Sequence, residues 1–271
     1  MVEQEEQEAF QKILSFILAK KDFNGEFYKA KYIQRRVMAR MRVYGISHYN
    51  DYLKILFNDS EEIQHLFERL TIHVTEFFRD PSVYTAIETL VFNSLKPDGR
   101  NDHFKILSVG CSTGEEAYSI AILALKYFKF FKVHAIDIDP QSVQFALNGE
   151  YQLSATRNLT KIQIQNWFQE IGSGKIKVLP KLARRVEFQI QNIFSLNVFE
   201  LNAYNLILCR NVLIYLTQDK QQWLFKALHE SLKDNGVLVL GNTETMMGPA
   251  RQLFICIDTS NRLYQKTIMI N

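Results

Sequence analysis

The chain has 271 residues, of which 47% are hydrophobic, so it can bury the core of one large domain or of a large and a small one. No run approaches the ~20 apolar residues of a membrane helix, and the first eight residues are mostly polar and acidic, so we expect a cytoplasmic protein without membrane insertion. Three widely spaced cysteines argue against disulfides and against a metal site, and a net charge of +3 is too small to indicate nucleic acid by itself.

The N-terminal quarter of the chain has a helical pattern. Between about residues 10 and 70, apolar side chains recur at helical spacing, and polar breaks such as Asn58-Asp59-Ser60 separate the segments. No alternating, strand-like run occurs there. We therefore predict a small helical domain over residues 1–75, followed by a second domain over residues 76–271.

One predicted helix of this region is strongly basic. Six basic side chains and no acidic one lie between Tyr28 and Tyr44: Lys29, Lys31, Arg35, Arg36, Arg40 and Arg42. Helical spacing gathers the apolar residues on one face: Ala30, Ile33, Val37, Met41 and Tyr44. The basic residues then lie on two flanks, one of which carries Lys29, Arg36 and Arg40. Two interpretations remain open, a solvated exterior and a docking surface for an acidic partner.

The second domain has an α/β pattern, in which short apolar strands alternate with amphipathic helices. This alternation is typical of a mostly parallel sheet with helices on both faces. The predicted strands are 104–109, 132–136, 186–190, 205–209 and 237–240, and the predicted helices are 115–127, 141–148 and 219–232. The connection between the second and third strands is longer than a crossover needs. We therefore predict an inserted subdomain with strands of its own at about residues 152–190.

A glycine-containing loop follows the first predicted strand. It runs from Gly110 to Gly114 and precedes a helix that begins with Glu115 and Glu116. In doubly wound sheets, ligands bind outside the carboxyl ends of the strands, where glycines let the backbone approach closely. Asp137, at the end of the second strand, stands where a ribose diol would be held. The pattern is consistent with adenosine binding, and a plain tight turn between strand and helix remains the alternative.

Four stretches are similar to the motifs of one enzyme family: Thr75-Glu76-Phe77-Phe78-Arg79-Asp80, Ser112-Thr113-Gly114-Glu115-Glu116-Ala117-Tyr118-Ser119, Ala135-Ile136-Asp137-Ile138-Asp139 and Cys209-Arg210-Asn211-Val212-Leu213-Ile214-Tyr215. With these stretches in this order, the chain resembles the CheR-type protein-glutamate methyltransferases over nearly its whole length. The resemblance implies an α/β fold, in which a small N-terminal helical domain for receptor recognition precedes a Rossmann-like methyltransferase domain with an inserted antiparallel β-subdomain. His73 departs from the family's Asn, and Ala117 from its Pro.

The resemblance also implies site residues, position by position. The cofactor S-adenosylmethionine, with S-adenosylhomocysteine as product, would contact His73, Thr75, Arg79, Gly110, Glu116, Asp137, Ile138, Asn192, Ile193, Arg210 and Asn211. Arg79 and Tyr215 would stand beside the transferred methyl group as catalytic residues. Each role has a structural alternative: Arg79 in a surface ion pair, Tyr215 in the core, and Glu116 as a favourable charge at a helix N-terminus.

The implied activity is methyl transfer to glutamate carboxylates in the cytoplasmic helical region of methyl-accepting chemotaxis receptors, by a monomeric enzyme. Lys29, Arg36 and Arg40 would bind this acidic substrate, and some family members also grip a C-terminal receptor peptide with the inserted subdomain. Two alternatives remain. One is a non-catalytic regulatory module that binds S-adenosylmethionine, and the other is a nucleic-acid methyltransferase, against which the lack of an Asn-Pro-Pro-Tyr-like motif counts.

Overall fold

The computed structural model describes residues 2–71, 74–94, 103–195 and 198–267. The chain divides into two compact units. The helical unit comprises residues 1–72 and 215–220, and the sheet unit comprises residues 73–214 and 221–271. Across the described ranges, every helix is too short or too polar to cross a membrane.

The helical unit is built from amphipathic helices, as the sequence predicts. They are α1 Val2–Lys21, α2 Ala30–Val43, α3 Tyr49–Asn58 and α4 Ser60–Leu70. Helix α4 begins where the Asp59 side chain accepts hydrogen bonds from the backbone N–H groups of Glu61 and Glu62. The apolar faces form the core, whose fully buried members include Ile13, Ile17, Phe23, Ile33, Tyr52, Leu56, Leu66 and Phe67.

A later piece of the chain, residues 215–220, completes the helical unit. The backbone N–H of Lys29 donates to the carbonyl of Tyr215 at 2.9 Å, and that of Thr217 donates to the carbonyl of Phe27 at 3.0 Å. The ring of Tyr215 lies 4.7 Å, centroid to centroid, from the ring of Tyr32. These contacts make Tyr215 part of the helical unit.

The sheet unit begins with α5 Pro81–Ala86 and continues with alternating strands and helices. In chain order the strands are β1 Phe104–Val109, β2 Phe131–Asp137, β3 Glu150–Gln152, β4 Phe168–Gly172, β5 Lys175–Val178, β6 Val186–Ile190, β7 Tyr204–Cys209, β8 Leu232–Leu240, β9 Phe254–Asp258 and β10 Leu263–Lys266. The further helices are α6 Glu115–Ala124, α7 Pro140–Asn148, α8 Lys161–Trp167, α9 Pro180–Ala183 and α10 Gln218–Ser231.

The described strands form a main sheet of seven, in the order β6-β2-β1-β7-β8-β10-β9. Its first five members run parallel, and β10 runs antiparallel to both of its neighbours. Strand β1 is buried along nearly its whole length, because helices cover both faces of a parallel sheet. The strand order reverses between β1 and β7, which is the topological switch point where doubly wound folds bind ligands.

The five predicted strands all belong to the main sheet, and their bounds differ from the structure mainly at the ends. β8 is longer than predicted because it starts at Leu232, where the sequence indicates the end of a helix. The hairpin of β9 and β10 was not predicted. β9 lies at the sheet edge and buries only Phe254 well, so its sequence lacks the apolar run of a central strand.

The inserted subdomain has a sheet of its own. Three strands in the described part of this insertion pair antiparallel in the order β3-β5-β4, and helix α8 lies between β3 and β4 in the chain. Its bounds differ from the predicted 152–190. The small sheet starts earlier, at Glu150, and residues 186–190 belong to the main sheet, where β6 pairs with β2.

Candidate active site

The loops after β1, β2 and β7 meet at the switch point of the main sheet. Gly110 and Cys111 follow β1, and both backbone N–H groups donate to the carbonyl of Ile136 in β2, at 2.9 and 3.0 Å. Gly110 has φ +68°, and a Cβ atom there would lie 2.7 Å from the side chain of Val212 in the loop after β7. Gly110 is therefore required for the packing of two loops, whatever they bind.

Gly114 ends the same loop and starts α6. Its φ is +94°, and a Cβ atom would lie 2.8 Å from Ala146 and 3.1 Å from the hydroxyl of Tyr151. Together the two glycines keep the loop flat against its neighbours. The tight-turn interpretation of this motif is thus satisfied by geometry, and it does not exclude ligand binding.

Asp137 lies at the carboxyl end of β2 and is 8% exposed. Its Oδ2 accepts the backbone N–H of Ser112 at 2.7 Å, and its Oδ1 accepts that of Asp139 at 3.0 Å. Asp137 therefore has a fixed orientation at the carboxyl end of β2, the position where doubly wound folds hold a ribose diol. Ile138, the next residue, is partly buried.

Arg210 is the first residue after β7, and it is only 5% exposed. Its guanidinium donates to the Asp80 carboxylate at 2.6 Å, to the Arg79 carbonyl at 3.1 Å and to the Glu116 carboxylate at 3.3 Å. The Nε atom is buried and meets no acceptor within the described ranges. Such a donor has a large desolvation cost unless a ligand supplies an acceptor.

Glu116 lies in the first turn of α6 and faces Arg210. The Ser108 hydroxyl donates to Glu116 Oε1 at 2.7 Å, while Arg210 binds Oε2. Burial raises the pKa of the Glu116 carboxyl, and the charge of Arg210 opposes that rise. The structure therefore brings Glu116 and Arg210 together in one ion pair beside the switch point.

The Thr75–Asp80 segment is held by a buried aromatic side chain and a backbone hydrogen bond. Phe77 is fully buried against Phe168 of β4, and the backbone N–H of Phe78 donates to the Ser119 hydroxyl at 2.8 Å. Thr75 and Arg79 are half-buried, and the Arg79 guanidinium donates to the Val74 carbonyl at 2.8 Å. Since the carbonyl of Arg79 also binds Arg210, this segment joins the loop cluster.

Four non-glycine residues of these loops adopt positive φ: Phe78 (50°), Asp80 (57°), Ser112 (50°) and Asn211 (63°). This conformation costs about 1–3 kcal/mol for a residue with a side chain. Residues elsewhere, Asp22 and Ser173 among them, adopt it as well, so positive φ by itself does not mark the site.

The inserted subdomain supports the site from one side. The Tyr151 hydroxyl of β3 donates to the Thr113 carbonyl in the glycine loop at 2.6 Å. The Asn158 amide donates to the Phe77 carbonyl at 3.2 Å, and Arg157 forms an ion pair with Glu76. These contacts could not be predicted from the sequence, because Tyr151 and Asn158 lie in a connection that shows no motif.

Glu244 is a further residue that the sequence analysis missed. It is 2% exposed, and its carboxylate accepts four backbone N–H groups, from Gly241 (2.7 Å), Asn211 (2.8 Å), Leu213 (2.7 Å) and Ile214 (3.3 Å). Burial raises the pKa of the Glu244 carboxyl, and these hydrogen bonds counteract the rise. Glu244 therefore anchors the loop after β7. An acidic residue just after the buried strand β8 was the available signal.

Asn192 and Ile193 follow β6 and are partly buried. The Asn192 side chain accepts the backbone N–H of Phe194 at 3.0 Å. The backbone carbonyl of Asn192 accepts the N–H of Ser195, also at 3.0 Å. The preceding residue, Gln191, donates its N–H to the Asp137 carbonyl at 2.7 Å. The segment is thereby tied to the end of β2.

The remaining predicted site residues do not lie in this cluster of the sheet unit. His73 falls outside the described residues. Tyr215 belongs to the helical unit, as do Lys29, Arg36 and Arg40. Lys29 is exposed, whereas Arg36 is half-buried above the Tyr32 ring, at 5.5 Å from its centroid.

Arg40 differs from the exposed flank residue that helical spacing predicts. Its guanidinium binds both carboxylate oxygens of Glu62, a residue of α4 that is 0% exposed. Burial would raise the pKa of Glu62, but hydrogen bonds from Arg40, Tyr52 and Tyr44 outweigh burial and lower it. The predicted exposure of Arg40 is wrong because helical spacing along α2 does not show that α4 places a buried acid beside it.

Comparison with known proteins bears on both units. Residues 8–71 match a family model described as CheR methyltransferase, all-alpha domain, and residues 73–263 match one described as CheR methyltransferase, SAM binding domain. The chain is 32% identical to a chemotaxis protein methyltransferase of Klebsiella aerogenes, over 84% of this chain and 80% of that protein. It is 29% identical to one of Listeria monocytogenes, over 82% and 84%.

The chain is also similar to a much longer protein. It is 27% identical to an uncharacterized 104.1 kDa protein of Rhodobacter capsulatus, over 95% of this chain. The chain spans 27% of the length of that relative.

Proposed function

Because the chain belongs to the CheR methyltransferase family, we propose that it transfers methyl groups from S-adenosylmethionine to glutamate side chains of chemotaxis receptors. The observation that carries this proposal is the match of both parts of the chain to the family's two domains, in the family's order. The product on the receptor is a glutamate methyl ester. The chain would thus act in sensory adaptation rather than on nucleic acid.

The switch-point residues fit an S-adenosylmethionine molecule. Asp137 would accept hydrogen bonds from the ribose hydroxyls, because two backbone N–H groups orient its carboxylate at the carboxyl end of β2. Asn192 and Ile193, tied to the same strand end, line the adenosine half. The buried Nε–H of Arg210 meets no acceptor among the described residues, and it would suit the carboxylate of the methionine half.

The chemistry requires positioning more than proton transfer. When bound, S-adenosylmethionine supplies an electrophilic methyl carbon on a sulfonium centre. A receptor glutamate is already ionised at neutral pH, since its pKa is ~4.3, so the chain needs no general base. Arg79 orients the attacking carboxylate with its planar guanidinium. The role of Tyr215 beside the methyl group rests on the family resemblance alone. Arg210 and Glu116 hold the loops around them in one fixed arrangement.

Receptor docking would use the exposed basic residues of α2. Lys29, Lys31, Arg35 and Arg42 are exposed, and an acidic helical receptor segment is complementary to them. Arg36 contributes at the edge of this surface. The Glu62 carboxylate offsets the charge of Arg40 in an ion pair. In this proposal Arg40 therefore positions α2 on α4 and adds less to docking.

The proposal is tested by transfer of a radiolabelled methyl group from S-adenosylmethionine to the cytoplasmic fragment of a chemoreceptor from the same organism. We expect label on the receptor that mild base releases as methanol, since glutamate methyl esters are base-labile. Stable label would indicate another acceptor group. If S-adenosylhomocysteine binds and no label appears, the result favours a non-catalytic module or a different substrate.

Asp137→Ala should weaken the binding of S-adenosylhomocysteine by about 10- to 100-fold, the range expected for loss of hydrogen bonds to a charged group. Isothermal titration calorimetry measures the affinity, and thermal unfolding shows whether the variant keeps its fold. Asp137→Asn is the matched variant, because it keeps the shape and removes the charge. Unchanged affinity in a folded Asp137→Ala protein would remove Asp137 from the site.

Charge reversal at Lys29 and on α2 tests whether these basic residues dock the receptor or form only a solvated surface. The double variant Lys29→Glu with Arg35→Glu should raise the KM for receptor by about tenfold at low ionic strength and leave cofactor affinity unchanged. The matched control is Lys12→Glu with Lys20→Glu, which changes the same number of exposed charges on α1. Equal KM values for the two variants would show that α2 does not dock the receptor. Arg40 is unsuitable here because its reversal would leave Glu62 buried beside a second acid.

A further inference from the structure

An aromatic pair joins two distant parts of the sheet unit. Phe194 follows β6, and Trp223 lies on α10, the helix that follows β7. Their rings are 5.4 Å apart, centroid to centroid, with an angle of 42° between the planes. Trp223 is 42% exposed, so this pair is not part of the core.

The pair bridges a wide gap in the strand order. β6 and β7 are separated by β2 and β1 in the main sheet. The ring contact therefore links two parts of the chain that follow strands three places apart in the sheet. The two strands between them, β2 and β1, end at Asp137 and next to Gly110.

The segment from Gln191 to Phe194 is anchored at both ends. At its start, the backbone N–H of Gln191 donates to the Asp137 carbonyl at 2.7 Å. At its far end, the Phe194 ring contacts Trp223. Between these anchors, Asn192 makes a tight turn, in which it accepts the N–H groups of Phe194 and Ser195. Asn192 and Ile193 therefore lie between two anchored residues, Gln191 and Phe194.

The helix that carries Trp223 is itself firmly held. The Gln221 amide donates to the Leu213 carbonyl at 2.8 Å, and the Gln222 amide donates to the Met247 carbonyl at 2.8 Å. Gln222 also accepts the backbone N–H of Ala250 at 2.9 Å. The start of α10 is therefore a rigid support for Phe194.

We propose that the Phe194–Trp223 pair is a clasp that holds Asn192 and Ile193 over the adenosine half of the cofactor, which makes Trp223 a positioning residue. This inference rests on the proposed cofactor site at Asp137. The clasp acts on the adenosine half because its segment starts at the Asp137 strand end. Trp223 itself does not need to touch the ligand.

Calorimetry with S-adenosylhomocysteine and with adenosine tests the clasp. Trp223→Ala should raise the Kd of both ligands by about fivefold, within the range of an aromatic pair, whereas Trp223→Phe should restore most of the affinity. In the methylation assay the KM for S-adenosylmethionine should rise, with kcat and the KM for receptor unchanged. The control is Phe130→Ala, a comparably exposed aromatic residue at the amino end of β2.

A second variant keeps the test independent of folding. Phe194→Ala removes the same contact from the other side, and the double variant Phe194→Ala with Trp223→Ala should lose no more affinity than either single variant. Wild-type affinity in folded Trp223→Ala and Phe194→Ala proteins would overturn the clasp and leave the proposed function intact. Failure of the wild-type protein to bind S-adenosylhomocysteine would instead overturn the cofactor site, and the clasp with it.

Discussion

Arg79→Ala should reduce turnover by about 10²- to 10³-fold, the usual effect of removing one charged donor that faces the reacting atoms. The physical reason is that a planar guanidinium orients a carboxylate through two parallel hydrogen bonds, which alanine cannot replace. The neighbouring residues Phe78 and Asp80 adopt strained positive φ, so the backbone fixes the direction in which Arg79 leaves the chain. Steady-state kinetics with labelled S-adenosylmethionine and receptor fragment measure the loss.

The fold of Arg79→Ala should be intact, because the side chain is half-buried and its hydrogen bond to the Val74 carbonyl is solvent-exposed. Arg184→Ala is the matched control, because its side chain is exposed and also donates to a backbone carbonyl, that of Pro180, at 3.2 Å. Arg79→Lys should recover part of the rate, since the charge returns without the planar fork. Normal turnover by Arg79→Ala would show that Arg79 has no catalytic role.

Glu244→Ala should lower the free energy of unfolding of the protein by about 4 kcal/mol, because it leaves four backbone N–H groups without their acceptor. A loss of this size is a large fraction of the ~5–15 kcal/mol that stabilises most domains. The melting temperature should fall by about 10 °C for a chain of this length. Calorimetry or circular dichroism measures both quantities.

The matched control for this variant is Glu230→Ala. Glu230 is half-exposed on α10, and the ion pair recorded for it is with Lys226 at 3.9 Å. Surface pairs of this kind contribute about 0–1 kcal/mol, so the control should be close to wild type. Equal stability of the two variants would show that the loop after β7 does not depend on Glu244. Glu244→Gln should lie between them, because its carbonyl oxygen can still accept two N–H groups.

The sequence was sufficient to predict the parallel part of the main sheet. Central strands such as β1 and β7 are short apolar runs, and their burial on both faces makes that signal strong. The edge strand β9 shows no such run, since it contacts the core on one side alone. Its hairpin with β10 was missed for this reason. The predicted insertion also extended into residues 186–190, because the sequence shows a strand there but not which sheet it joins.

For the candidate site, the sequence predicted the loops but not the residues that hold them in place. Contiguous motifs selected the loops that carry Arg79, Gly110, Asp137 and Arg210, and the structure brings these loops together at the switch point. The groups that hold the loops, Glu244 among them, come from elsewhere in the chain. One motif even divides between the units, because Tyr215 packs with the helical unit while Arg210 belongs to the sheet unit.

The sequence by itself determined the fold class, the family and the segments that form the site, because these depend on local patterns: the periodicity of apolar residues, glycines at turns and motif order. Only the tertiary structure decided which charges remain available and what fixes the loops. It paired Arg40 with Glu62, enclosed Arg210 between Asp80 and Glu116, and brought Phe194 to Trp223. The sequence separation of such partners ranges from 22 to 130 positions. The packing of whole helices and strands brings them together, and a local sequence pattern does not contain that information.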